Sequence, residues 1–319
     1  MKVKVYIVST PYHILSGIVD LEKSQKKGVF VLISNYPDDY EYFKYEKKRL
    51  EKHSRVENVI IIEPRNILGR LFGYKKEYQL LVENYDIYSV NFFSWNLNKL
   101  YTNSNYFFKK FKKGYSIDFF EDGSNVYLSQ TTLQRPFTRV LQFILGIYTT
   151  SQALKFVNNV YVSYPEKFPA EMKPKIIKRN VSMEVKKLAN GSKEMLGETF
   201  LDDEIDLAQI LSVKKKNILF TQPLAQDKFM SVDRQKKLYN DLIKKYSANS
   251  ESLIIKKHPR DSVSYETNKN CILLPRKFPS ELLNMYDTKF VNSIGISSSA
   301  TKSIKAVNYV DESKRLKLV

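Results

Sequence analysis

Three short segments carry side chains able to do chemistry, and each follows an apolar run. Glu121-Asp122-Gly123-Ser124 comes after Tyr115-Ser116-Ile117-Asp118-Phe119-Phe120. A carboxylate held where a strand opens into a glycine turn can take a proton from an incoming hydroxyl, although an acidic turn without a role has the same spelling. Lys256-Lys257-His258-Pro259-Arg260 comes after Ser252-Leu253-Ile254-Ile255. His258 is one of only three histidines, is biased to extended backbone by the following proline, and has three cations beside it. That setting suits a phosphate, to which an imidazole gives a proton or a hydrogen bond; a surface histidine in a basic loop is the plainer reading. Ser297-Ser298-Ser299 comes after the run 288–293 and Gly295 and opens a helix through Ala300-Thr301-Lys302. Hydroxyls and free backbone N–H groups there either gather an anion or simply cap the helix.

The elements that must position these segments are short runs rich in Val, Ile, Phe and Tyr. They recur at 3–9, 28–34, 58–63, 86–93, 115–120, 158–163, 217–221, 252–256, 271–274 and 288–293, and several end at Gly, Pro, Ser or Asn as strands do. Helix-prone segments separate most of them. The clearest is 234–247, capped by Asp233, with Leu238, Leu242 and Tyr246 four apart on one face. Strands alternating with helices predict an α/β chain of parallel sheets covered on both faces, whose ligands bind at the carboxyl ends of strands. Strand density falls between about 165 and 215. The chain therefore reads as a Rossmann-like domain over 1–165, a helical connection over 166–215 and a second Rossmann-like domain over 216–319. Two such domains facing a central cleft, the GT-B type, fit the count, and other two-domain α/β proteins fit the alternation equally.

Composition narrows the classes. With 319 residues, 43% hydrophobic, the chain has ample material for a core. A net charge of +18 favours an anionic partner or a plain lysine-rich surface. A nucleic-acid-binding reading lacks a Cys-rich finger, an RNA-binding signature and a concentrated basic block. The one cysteine, Cys271, excludes an internal disulfide and a multi-Cys metal site, and its apolar surroundings suggest a strand position. The opening alternation Met1-Lys2-Val3-Lys4-Val5-Tyr6 is unlike a signal peptide, and no run approaches the roughly 20 apolar residues of a membrane span. The expected compartment is the cytoplasm. The acidic cluster Asp202-Asp203-Glu204-Ile205-Asp206 reads as a linker or helix start rather than a metal site, and Asp38-Asp39 as a turn and helix start. Tyr106-Phe107-Phe108-Lys109-Lys110-Phe111-Lys112-Lys113 and the segment Arg135 to Leu145 mix aromatics with cations. Either they rest on the anionic inner face of the membrane, or they are buried helix faces with snorkelling lysines.

In order and strand-end context the three motifs resemble those of bacterial sialyltransferases, in particular glycosyltransferase families 52, 80 and 38. These carry an acidic-acidic-Gly motif in the first domain, then a His-Pro motif and a Ser/Thr pair in the second. Ser9-Thr10-Pro11-Tyr12-His13 also looks like the first-strand loop of family 52, and Phe278-Pro279-Ser280-Glu281-Leu282 like the nucleotide-side helix start of such enzymes. The resemblance implies an inverting transfer of sialic acid from CMP-sialic acid to a glycan. Glu121 is then the general base, with Asp122 the second candidate, and His258 the general acid or the stabiliser of the leaving phosphate. Ser297, Ser298 and Ser299 hold the CMP phosphate, the third serine leaving open which two hydroxyls matter. Gly123, Lys257, Pro259, Pro279 and Glu281 fall on the donor side, and Thr10, His13 and Trp95 on the acceptor side. Core packing is the better account of Phe92 and Phe93. The monophosphate leaving group of this donor carries less charge than a diphosphate, so no metal and no cofactor is expected. The acceptor implied is a galactose-terminated glycan of a capsule or lipooligosaccharide, lipid-linked or free, joined in α2,3 linkage. A homodimer and peripheral contact with anionic membrane complete the expectations.

Overall fold

The computed structural model describes residues 2–34, 37–63, 73–93, 104–122, 127, 153, 155–168, 175–201, 207–248 and 250–317. The chain divides into two compact units, Met1–Asn180 and Val181–Val319. In the first, strands β1 (Lys2–Val8), β2 (Lys27–Ile33), β3 (Val56–Ile62), β4 (Asp86–Phe92), β5 (Ile117–Phe120), β6 (Asn159–Val162) and β7 (Ile176–Lys178) form one sheet in the order 3-2-1-4-5-6-7. Helices α1 (Pro11–Ser24), α2 (Pro37–Leu50), α3 (Lys75–Asn84) and α4 (Ser104–Phe111) lie between the strands in sequence. Val5, Val29, Val31, Val90, Phe92, Ile117 and Phe119 are among its core residues. β1, β2 and β5 read as near-continuous buried runs, the pattern of strands covered on both faces.

The second unit begins with helices α5 (Val181–Lys187), α6 (Asn190–Phe200) and α7 (Leu207–Ser212). Its sheet takes β8 (Lys216–Phe220), β9 (Ser252–Lys256), β10 (Cys271–Leu274), β11 (Phe290–Gly295) and β12 (Ala306–Asp311) in the order 10-9-8-11-12. The long helix α8 (Val232–Ser247) buries Leu238, Tyr239, Leu242 and Ile243 against β8 and β9. Every strand pairing described in either sheet is parallel. The order reverses between β1 and β4 in the first sheet and between β8 and β11 in the second, and ligands of open α/β sheets bind at such switch points.

Several expectations are corrected. The first unit extends past 165, because β7 hydrogen-bonds to β6 and Arg179 behind it clamps α1. Its guanidinium donates to the Ser16 hydroxyl and carbonyl, each at 2.8 Å, and covers the Phe120 ring at 4.8 Å. Helix α8 starts earlier than expected and is capped by Ser231, whose hydroxyl accepts from Arg234 N; Asp233 sits in its first turn. The aromatics of 106–113 are core: Phe107, Phe108 and Phe111 are fully buried on α4 while Lys109 and Lys110 face solvent. For this segment the snorkelling account therefore holds. Residues 135–145 and 202–206 lie outside the described residues. No described helix is long and apolar enough to cross a membrane.

Helix α1 approaches the sheet closely at Gly17, where an added Cβ would meet the Phe30 ring at 2.7 Å and Tyr6 at 3.2 Å. Those rings are fully buried and stacked at 5.0 Å, so they cannot move aside cheaply. Gly17→Val should lower the unfolding free energy by about 1–3 kcal/mol, the usual cost of overpacking, measured by urea denaturation.

Candidate active site

In the first unit, the loops after β1, β4 and β5 bring three side chains together. Thr10 caps α1, its hydroxyl accepting from His13 N at 3.2 Å, and Pro11 opens the helix. This start fixes His13, only 1% exposed, with its ring stacked on Phe93 at 4.8 Å. Nδ1 of His13 accepts from the Ser9 backbone N–H at 3.2 Å, which leaves the proton on Nε2. Nε2 in turn lies 2.9 Å from Asp122 Oδ1. Asp122 is 28% exposed. A buried histidine therefore aims a partly exposed carboxylate at the switch point between β1 and β4.

Glu121 is held differently. Its backbone N–H donates to Tyr161 O at 2.9 Å, and its Oε2 accepts from Ser163 N at 2.5 Å. Burial pushes its carboxyl up, while the hydrogen bonds from Ser163 and Tyr127 pull the other way. Tyr127 also accepts from Tyr164 N at 3.0 Å. The Glu121 carboxylate is thus tied to the end of β6, two strands beyond β4 and the switch point.

Of the other acceptor-side residues, Thr10 caps the helix, and His13 is buried with its Nε2 directed at Asp122. Phe92 and Phe93 are fully buried. Gly123 and Trp95 lie outside the described residues.

In the second unit, His258 follows β9. Its Nδ1 accepts from Arg260 N at 3.1 Å, so the free proton sits on Nε2. Burial, Arg260 and Lys256 push the imidazole down to about 4. The ring is therefore neutral at pH 7 and offers one N–H. The three neighbouring cations each have a partner within the second unit. Lys256 Nζ donates to the carbonyls of Lys257 (2.5 Å) and Arg276 (2.8 Å), and burial lowers it to about 7. Lys257 Nζ donates to Val263 O at 2.5 Å. Arg260 forms a two-pronged pair with Asp227 at 2.6 and 3.1 Å. Buried ammonium groups must be satisfied, and backbone carbonyls supply part of that for Lys256 and Lys257.

Lys256 also ties the His258 loop to the loop that leads to Pro279 and Glu281. Pro279 is buried at the start of the 3-10 turn Ser280–Asn284. Burial pushes the Glu281 carboxyl up, and Lys256 pulls it back. Pro259 is exposed beside His258.

The serines follow β11. Ser297 adopts φ +47°, with its N–H donating to Asp311 Oδ1 (3.2 Å) and Ser313 Oγ (2.9 Å). Ser298 Oγ is buried with no hydrogen-bond partner among the described residues, a state that costs free energy unless a ligand relieves it. A Cβ at Gly295 would meet Thr301 Cγ2 at 2.6 Å and Ser298 Cβ at 3.0 Å, so the serine turn needs glycine there. The expected helix is a five-residue 3-10 turn, Ser299–Ser303, and Ser298 does not cap it with its side chain. The side chain of Ser299 lies outside the described residues.

Tyr127 and Ser163, which hydrogen-bond around Glu121, are residues that sequence reasoning passed over, because neither belongs to a motif.

The model for Glycosyltransferase family 52 matches residues 89–314. The chain belongs to glycosyltransferase family 52. An uncharacterized protein of Haemophilus influenzae strain Rd is 30% identical over 205 residues, a match spanning 60% of this chain and 60% of that protein. Among solved structures, the 2,6-sialyltransferase of Photobacterium sp. JT-ISH-224, in complex with CMP and lactose, aligns with TM-score 0.59 at 16% identity. The alignment covers 97% of this chain and 71% of that one, and it identifies the fold as GT-B. The UDP-GlcNAc 2-epimerase of Methanocaldococcus jannaschii aligns with TM-score 0.46 at 11% identity, over 100% of this chain and 91% of that one.

The neutral state of His258 is directly measurable. A histidine whose folded value is depressed contributes stability above its unfolded value of about 6.5, and that contribution is lost as pH falls through the folded value. NMR titration of the ligand-free protein should place His258 at about 4, with stability declining as pH drops below about 6.5. A midpoint near 6.5 would contradict the assignment.

Proposed function

We propose that the chain is an inverting, metal-independent sialyltransferase that moves sialic acid from CMP-sialic acid to a galactose-terminated glycan. The observation that carries this reading is the donor side of the second unit. It offers the neutral Nε2–H of His258 and holds at the turn after β11 the buried Ser298 hydroxyl, without a partner among the described residues, while the cations of the His258 motif already have partners. Such a set suits a monophosphate better than a diphosphate, whose larger charge calls for free cations or a metal. Family 52 membership supports glycosyl transfer, and the fold shared with a sialyltransferase solved with CMP and lactose supports this donor and this acceptor class.

In the proposed reaction a carboxylate takes the proton of an acceptor hydroxyl, and that oxygen bonds to the anomeric carbon. The bond from that carbon to the phosphate oxygen breaks, and CMP leaves with the electron pair. His258 donates a hydrogen bond to the departing phosphate, as Ser298 does. The geometry favours Asp122 over Glu121 as the base. Asp122 is partly exposed and held by His13 at the switch point, whereas Glu121 is engaged with Ser163 and Tyr127. The α2,3 linkage and a lipid-linked acceptor of capsule or lipooligosaccharide, met at the inner face of the membrane, follow from the family resemblance.

Positioned acid and base groups contribute ~10²–10⁴-fold. Asp122→Asn should lose turnover on that scale and His258→Ala should follow it, while Glu121→Gln stays within ~10-fold of wild type. Turnover is read as CMP release from CMP-sialic acid. The reverse ranking of Asp122→Asn and Glu121→Gln would transfer the role of base to Glu121. Calorimetric binding of UDP-sugars with none of CMP would remove sialic acid as the transferred sugar.

A further inference from the structure

The turn that carries His258 rests on a buried carboxylate. Asp261 is fully buried, and each of its oxygens accepts two hydrogen bonds. Oδ1 takes Gln235 Nε2 at 3.0 Å and Val263 N at 3.1 Å. Oδ2 takes the Tyr265 hydroxyl at 2.8 Å and the Thr221 hydroxyl. Its own N–H donates to His258 O at 2.9 Å, which closes the turn His258–Asp261. Gln235 is fixed in its turn by Ala225 N, which donates to Oε1 at 2.6 Å.

Thr221 stands at the end of β8, 2% exposed, and its hydroxyl has one proton to give. A carboxylate can only accept, so that proton points at Asp261. The remaining lone pair then faces His258 N, which donates to Thr221 Oγ1 at 3.2 Å. The closed turn also carries Arg260 N to 3.1 Å from His258 Nδ1. That contact decides which ring nitrogen bears the proton.

We propose that Asp261 and Thr221 are positioning residues that lock His258 in its Nε2–H form, aimed to donate to the leaving phosphate. The inference rests on the sialyl-transfer reading for its consequence in catalysis. The lock itself is a property of the second unit alone. A polar network this buried is costly unless every member is satisfied, and this one meets that condition around a loop that carries a half-buried imidazole with one N–H. Thr221→Val keeps the shape and removes the hydroxyl, leaving His258 N–H without its acceptor. Thr221→Ser keeps the hydroxyl. Asp261→Asn removes the constraint on the direction of the Thr221 proton.

The test combines histidine tautomer assignment by 15N NMR with steady-state kinetics on CMP-sialic acid. Wild type is expected in the Nε2–H form. Thr221→Val should unfold cooperatively, show a mixture of His258 tautomers and lose kcat by about 10²-fold, the cost of an ångström-scale misplacement, with KM for the donor little changed. Thr221→Ser should recover the Nε2–H form and most of kcat. If Thr221→Val fails to fold, Asp261→Asn is judged by the same criteria. The proposal is overturned by an Nδ1–H form in wild type. It is equally overturned by a folded Thr221→Val with wild-type tautomer and kcat. Wild type that never releases CMP would defeat the sialyl-transfer reading, and the tautomer measurement would still decide the lock.

Discussion

In both units the strands run parallel, and that constraint governs where polar chemistry can stand. A parallel sheet needs a crossover between successive strands, so its faces are covered and its central strands are buried. β8 and β9 are buried at every position. Functional side chains therefore collect at the carboxyl ends of strands, where the backbone leaves the sheet. Asp122, His13 and Phe93 converge there in the first unit. His258, Thr221 and Ser298 all stand at such ends in the second.

Leaving the sheet exposes unpaired backbone carbonyls, and the lysines beside His258 donate to them. Lys256 and Lys257 look like phosphate ligands in the sequence but end on carbonyl oxygens, and Arg260 ends on Asp227. The result is a histidine that burial and neighbouring cations keep neutral, offering directed hydrogen bonding in place of net charge. In the first unit the two adjacent carboxylates are held differently. Glu121 hydrogen-bonds to the end of β6, and Asp122 is partly exposed against a buried histidine.

Much of the fold was legible because buried parallel strands are spelled as apolar runs. The ten runs each overlap a strand. β7 and β12 escaped because they lack that spelling: β7 is three residues with two exposed, and β12 is an edge strand with Val307, Asn308 and Tyr309 exposed. Missing β7 placed the first domain's end too early. At the site, local motifs marked the strand ends but not their partners. His13 and Asp122 are 109 residues apart, and no spacing rule joins them. His13 entered through family resemblance, as an acceptor-side residue, and only the fold reveals that it is buried against Asp122. Asp261 lay three residues beyond His258, unmarked, because a buried acceptor looks in sequence like any turn aspartate.

The most direct test of the central claim is CMP release from CMP-sialic acid in the presence of EDTA, with and without lactose. Release that rises with lactose and is unaffected by EDTA is the predicted result. Release abolished by EDTA, or no release with either acceptor condition, would contradict a metal-independent sialyl transfer.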